Sequence, residues 1–201
     1  MILYSMPSSG NSYKVRLLLA LLGHDKVPRS DVEYDSAALA TAHREGRLPF
    51  GKAPVLMLED GTALPESNAI LCFLGEGTPF VPQDPVARAK MLSWMFWEQN
   101  QHEGVIAVRA ALRNYAHRKP GATPERMSDL LTRGHALLQI MEDQLAQRDW
   151  LVGDSATLAD LCLFAYTHSA GTLGGFDMDR FPAIRAWCAR ITTLPGYAAL
   201  S

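Results

Sequence analysis

The residues with the most chemical potential stand near the start of the chain, which opens Met-Ile-Leu-Tyr-Ser-Met-Pro-Ser-Ser-Gly-Asn-Ser-Tyr-Lys-Val-Arg. Pro7, Ser8, Ser9, Gly10 and Asn11 are all turn formers. Before them, Ile2 to Ser5 is a short apolar run, a strand candidate. After them, from Ser12, the residues Val15, Leu18, Leu19 and Leu22 recur at helical spacing on one face, and Gly23 marks the stop. The polar loop therefore places hydroxyls and an amide at the start of a helix. Free backbone N–H groups and the positive end of the helix dipole favour an anion or a thiolate there.

The rest of the composition narrows the chemistry. A chain of 201 residues has room for one large domain or two small ones. Its hydrophobic share of 48% and charged share of 20% are those of a soluble globular protein. A net charge of −2 offers no footing for nucleic acid or an anionic membrane surface. No apolar run approaches the ~20 residues of a membrane span, and no leader pattern precedes the first strand, so a cytoplasmic location is expected. Cys72, Cys162 and Cys188 are far apart in apolar helical patterns and read as buried reduced thiols. The histidines are scattered, and His102-Glu103 lacks the second histidine of a zinc-protease helix, so no metal is expected.

Further along, Val27 to Tyr34 is a strand candidate weakened by Pro28 and its charges, and Ser36 to Glu45 a short Ala-rich helix. Val55 to Leu58 reads as a strand, Asp60-Gly61 as a tight turn, and Thr62 to Leu64 as the returning strand, ended by Pro65. Ser67 is then expected to cap a helix through Ile70 and Leu74. The order βαβαββα predicts one mixed sheet with helices on it. A Gly- and Pro-rich stretch follows, and beyond it only helical patterns appear. Ala87 to about His117 reads as one long helix, apolar at its ends and polar in the middle around Glu98 and Gln101. Pro124 to Gln147 is a second, Thr157-Leu158-Ala159-Asp160 is a capping box opening a third, and Phe181-Pro182 begins the last. The expected division is residues 1–77, a linker 78–84, and an all-helical domain 85–201.

The opening loop and helix, the K-A-P-V-L turn, the P-E-S-N-A-I helix start and the T-L-A-D box occur in order and at the right distances. Together they resemble the cytosolic glutathione S-transferase family, in particular its large bacterial group, over essentially the whole chain. The resemblance implies a thioredoxin-like N-terminal domain followed by an all-helical C-terminal domain, and a two-fold homodimer. It implies glutathione as co-substrate, a small hydrophobic electrophile or hydroperoxide as second substrate, and a detoxification role.

With glutathione as ligand, Glu66 offers a charge to the γ-glutamyl ammonium, and Ser67 a hydroxyl and helix N-terminus to its carboxylate. Pro54 forces Ala53 into an extended conformation, suited to strand-like pairing with a peptide. In the family this proline is cis and the residue before it, here Ala53, pairs with the cysteinyl part. Lys52 either attracts the glycyl carboxylate or stands as a solvated charge. Aligning K-V-R with serine-type relatives puts the catalytic hydroxyl on Ser9, and the same register puts the catalytic cysteine of other classes on Asn11. Ser9 is thus the first candidate and Asn11 the second, with Tyr4 and Ser8 behind them and Ser5 and Ser12 structural. Without a cysteine in this loop, reduction of mixed disulfides by an enzyme thiol there is excluded. Met6, His102, Arg109, Tyr115 and His168 are candidates to line a second-substrate pocket. Two other functions compete: a non-catalytic binding or regulatory relative, and a dedicated glutathione-dependent isomerase or dehalogenase.

Overall fold

The structure is a computed structural model and describes residues 1–24 and 26–200; Ser201, the last residue of the expected helical domain, lies outside them. The chain forms two compact units. The first comprises Met1–Val81 together with the segment from Thr192 onward, and the second is Pro82–Ile191.

The first unit is built on four strands, β1 (Ile2–Ser5), β2 (Arg29–Asp31), β3 (Val55–Met57) and β4 (Ala63–Pro65), in the order β2-β1-β3-β4. β1 and β2 are parallel, as the intervening helix requires, while β3 is antiparallel to both β1 and β4. Side chains alternate across the sheet. Leu3 and Leu56 face one side, where they bury with Val15, Leu19 and Ile70. These come from α1 (Gly10–Leu21) and α3 (Ser67–Gly75). Val55 faces the other side, with Ala42 of α2 (Ala37–Arg44), Val32 and Leu48. The mixed sheet with helices is therefore as the pattern predicts, and the differences are local. The second strand is only three residues long, because Pro28 and the charges around it leave little to pair. Pro65 belongs to β4 rather than ending it. A proline is tolerated there because β4 is an edge strand.

The second unit is helical: α4 (Pro85–Trp97), α5 (Glu103–Asn114), α6 (Pro124–Leu145), α7 (Leu158–Thr167) and α8 (Pro182–Thr192). The single long helix expected over 87–117 is instead α4 and α5 joined by a π-helical turn at Glu98–His102. That turn takes up the polar middle of the pattern and places Glu98 and His102 inside. α7 is apolar on nearly every side and is buried along its length, as a central helix must be. Its capping box forms as the sequence indicates. Asp160 accepts from the Thr157 N–H at 2.8 Å and the Thr157 hydroxyl at 3.0 Å. The same carboxylate also accepts from Leu151 N–H and from the Trp187 indole on α8. The start of α8 is capped from a distance: both Glu142 oxygens on α6 accept from Ala183 and Ile184 N–H at 2.9 Å.

Candidate active site

Register brings the candidate residues of the first unit together. Tyr4 pairs with Val55, and Val55 pairs with Pro65. The chain leaving β1, the chain entering β3 and the chain leaving β4 therefore lie at one edge of the sheet. Those segments are the Met6–Ser9 loop, Ala53-Pro54 and Glu66-Ser67. The end of β2 is at the same edge, since Ser5 pairs with Asp31, and it delivers Glu33. A hydrogen bond from the Ser67 hydroxyl to Asn11 Oδ1 at 3.2 Å ties the first turn of α3 to that of α1. Two helix N-termini thus open onto one place, a doubly favourable setting for anionic groups.

Within the loop nearly every polar group is engaged. Arg16 donates to the Ser5 hydroxyl at 2.7 Å, to the Met6 carbonyl at 3.2 Å and to the Pro7 carbonyl at 2.9 Å. Ser12 Oγ accepts from Met6 N–H at 3.0 Å. On the outer side Glu33 accepts from the Ser8 N–H at 3.0 Å and the Ser8 hydroxyl at 2.9 Å. The Ser5 and Ser12 hydroxyls are thus taken up inside the loop, and the Ser8 hydroxyl is committed to Glu33. Ser9 differs. It is the N-cap of α1, so the helix begins at Gly10 and not at Ser12, and its Oγ accepts from Ser12 N–H at 3.4 Å. Its own hydroxyl hydrogen meets no acceptor among the described residues. A capping serine whose proton is uncommitted can donate to an incoming sulfur.

Burial pushes the Glu33 carboxyl up, but the bonds from Tyr34 and Ser8 and the Arg16 cation outweigh it and hold it below the ordinary glutamate value. Because the folded value is depressed, the stabilisation of the loop is complete above the usual value of about 4.3. It is lost as pH falls through the lower, folded value. Hydrogen exchange at the Ser8 amide is therefore expected to be flat from neutrality down to about pH 5 relative to the intrinsic rate. Protection should fall only in stronger acid, and a fall already at pH 6 would contradict the assignment.

Glu66, and not Ser67, is the N-cap residue of α3, and no side chain caps the helix. Ser67 is its first residue, 4% exposed, and its hydroxyl is turned to Asn11 instead of back to its own helix. Glu66 has φ 71° and ψ 114°, a left-handed conformation that a non-glycine residue adopts at a cost of about 1–3 kcal/mol. Strain of this kind is kept where a side chain has to be presented, and the Glu66 carboxylate is exposed beside the helix start. The Ala53–Pro54 peptide is cis. Pro54 is buried, Ala53 is half-buried against the Val32 and Val55 cluster, and Lys52 is exposed.

Of the five second-substrate candidates, Met6 lies in the loop of the first unit, and the other four are in the helical unit. His102 is fully buried, 3.1 Å from the Thr167 hydroxyl and against the Trp97 ring. Arg109 is also buried and donates to the Gly174 and Met127 carbonyls. Both side chains are buried and bonded within the helical unit. Sequence spacing placed them on the long helix but could not tell its inner face from its outer one across the π-turn. Tyr115, at the end of α5, is exposed and stacked on His117. His168, at the end of α7, lines a cleft of about 570 Å³ with Thr172, Phe176, Met178 and Cys188. Burial lowers the His168 pKa, and Nδ1 is 2.8 Å from the Phe164 carbonyl. Burial also pushes the Cys188 thiol up to about 12, so it is no thiolate at neutral pH. Sequence reasoning missed two residues of the loop site. Arg16 served only as an alignment marker, and Glu33 gave no signal, because its partner is 25 positions away.

Among the described residues no group of three or more histidine, cysteine, aspartate or glutamate side chains could hold a metal ion. No helix among them is long and apolar enough to cross a membrane.

A small mixed sheet with two helix starts at one edge, followed by an all-helical unit, defines a thioredoxin-like domain joined to the helical domain of the transferases. Comparison with known proteins agrees. Residues 3–79 match the model of the glutathione S-transferase N-terminal domain, and residues 106–195 that of the C-terminal domain. The chain belongs to the glutathione S-transferase family. A glutathione S-transferase from Xanthobacter autotrophicus Py2 superposes with a TM-score of 0.90 at 42% identity, covering 99% of this chain and 96% of that one. One from Pseudomonas fluorescens Pf-5 gives 0.89 at 41%, covering 99% and 98%. A maleylacetoacetate isomerase from Rhizobium meliloti is 33% identical over 84% of this chain and 81% of its own length.

Proposed function

We propose that this protein is a glutathione transferase that binds glutathione at the shared sheet edge. It would ionise the thiol there and direct it at a hydrophobic electrophile or hydroperoxide. One observation carries this reading: Ser9, Asn11, Ala53-Pro54 and Glu66-Ser67 emerge side by side at the sheet edge, with Asn11 and Ser67 bonded. Glu66 and the α3 N-terminus hold the γ-glutamyl zwitterion, Ala53 pairs with the cysteinyl backbone, and Lys52 attracts the glycyl carboxylate. Asn11 already spends its carbonyl oxygen on Ser67, so it serves as a brace for the binding turn, and Ser9 is the donor to the sulfur. A free thiol with a pKa of about 8.5 is a minority thiolate at neutrality. A hydroxyl donor and a helix N-terminus shift that balance toward the anion. The expected setting is the cytoplasm and the expected assembly a two-fold homodimer, with residues 78–84 as the connection between the domains.

Calorimetric titration with glutathione tests the reading. The wild type should bind, and a Glu66→Ala, Ser67→Ala double variant should bind about 100-fold more weakly, since it loses charge-assisted bonds worth roughly 1.5–3 kcal/mol each less some compensation by water. Equal binding by both proteins, or none by the wild type at millimolar ligand, would sink it.

A glutathione-dependent isomerase is the second reading, and the 33% identity to a maleylacetoacetate isomerase favours it. The stoichiometry of glutathione separates the two. A conjugating enzyme consumes one glutathione per product, whereas an isomerase returns it.

A further inference from the structure

We propose that Arg16 is a positioning residue for the thiol site: from the flank of α1 it sets the course of the Met6–Ser9 loop, and so where the Ser9 hydroxyl points. The inference rests on the reading of that loop as the place where glutathione is ionised.

The loop is held by more than its own bond from Ser9 N–H to the Met6 carbonyl. Pro7 has no N–H, and consecutive residues turn three acceptors inward: the Ser5 hydroxyl and the Met6 and Pro7 carbonyls. A single guanidinium meets all three, at 2.7, 3.2 and 2.9 Å. This requires a planar fork of several donors; an ammonium on a flexible stem is a point charge and cannot span them. The link to Ser9 is direct. Met6 O accepts from Arg16 and also from Ser9 N–H at 3.0 Å. The arginine and the candidate catalytic serine thus share one carbonyl oxygen, and any shift of the fork moves the Ser9 backbone.

The fork is itself held. Its guanidinium lies 5.9 Å from the centre of the Tyr13 ring. Tyr13 N–H donates to Ser9 O at 2.9 Å, and the Tyr13 hydroxyl donates to the Ala198 carbonyl in the C-terminal tail at 2.9 Å. The tail lies close against α1. Gly196 has φ +84°, and a Cβ there would come within 2.8 Å of the Ala20 carbonyl oxygen. On the far side of the loop Glu33 holds Ser8, so the Ser8-Ser9 pair is gripped between a cation acting on carbonyls and an anion acting on donors. Arg29, Asp31 and Glu33 are the other charges near Arg16.

The experiment compares wild type, Arg16→Lys and Arg16→Gln. Lysine keeps the charge and removes the fork; glutamine removes both. Calorimetry reads glutathione affinity, ultraviolet thiolate absorbance reads the titration of the bound thiol, and circular dichroism reads the fold. Both variants are expected to bind glutathione within about threefold of wild type, because Glu66, Ser67 and Ala53 stand on other elements. Their bound thiol is expected to titrate about one unit higher, a roughly tenfold loss of thiolate at pH values below both midpoints. Should the glutamine variant fail to fold, Glu33→Gln, which releases the other side of the loop, is expected to raise the thiol titration in the same direction. A wild-type thiol titration in Arg16→Lys overturns the proposal, as does a loss of affinity equal to the loss of thiolate. Those results leave the glutathione reading standing. Failure of the wild type to bind glutathione removes both together.

Discussion

Asp160→Ala is expected to lower the melting temperature by about 10 °C. Asp160 is fully buried and its carboxylate is the common acceptor of four donors: Leu151 N–H, Thr157 N–H, the Thr157 hydroxyl and the Trp187 indole. Alanine leaves all of them inside the helical unit without an acceptor, and an unsatisfied buried donor costs about 1–3 kcal/mol. The costs do not add, since Thr157 and Leu151 relax together, so the total is about 4 kcal/mol. A chain of this size melts about 2–4 °C lower per kcal/mol. Thr157→Ala, which removes one of the donors along with its bond, should cost only about 1 kcal/mol. Calorimetric melting of both variants checks the contrast. Equal shifts would show that Asp160 acts as a simple helix cap and not as the hub joining the start of α7, the preceding loop and α8.

Ser9→Ala is expected to lower turnover about 100-fold, in the range found for removing one donor to a developing or resting anion, with glutathione affinity within about threefold of wild type. Ser9 caps α1, so the variant also loses about 1 kcal/mol of stability, too little to unfold the protein. Asn11→Ala should behave in the opposite way. It releases the Ser67 hydroxyl from its bond, so affinity falls while the rate at saturating glutathione is largely kept. Initial rates with an activated aryl halide and with an organic hydroperoxide, each at saturating and limiting glutathione, separate the two patterns. If Asn11→Ala lost the rate and Ser9→Ala kept it, the roles would be exchanged.

Much of this protein could be read from one dimension, because its signals are local. The Asp60-Gly61 turn and the Thr157–Asp160 capping box each satisfy their backbone within a few residues, β1 announces itself as a continuous apolar run, and each formed where the pattern put it. So did the order of elements, and with it the mixed sheet. The chemistry-bearing types were also legible: a hydroxyl-rich loop at a helix start, and a Glu-Ser pair at another. What those side chains do was not, because it depends on partners far along the chain. Local reasoning assigns Ser67 to its own helix, whereas in the fold its hydroxyl reaches Asn11, 56 positions away, and Glu66 takes the cap in a strained backbone. Glu33 grips the loop only because strand pairing brings the end of β2 beside the end of β1, and Arg16 because α1 folds its side chain back onto Ser5, Met6 and Pro7. In the helical unit, the π-turn rotated one half of the expected long helix against the other, and so buried His102 and Arg109. Turns, caps and periodicity are energies between near neighbours, and the sequence states them. The burial of a side chain, and which hydroxyl keeps a proton to give away, are set by contacts between distant segments, and only the tertiary structure decides them.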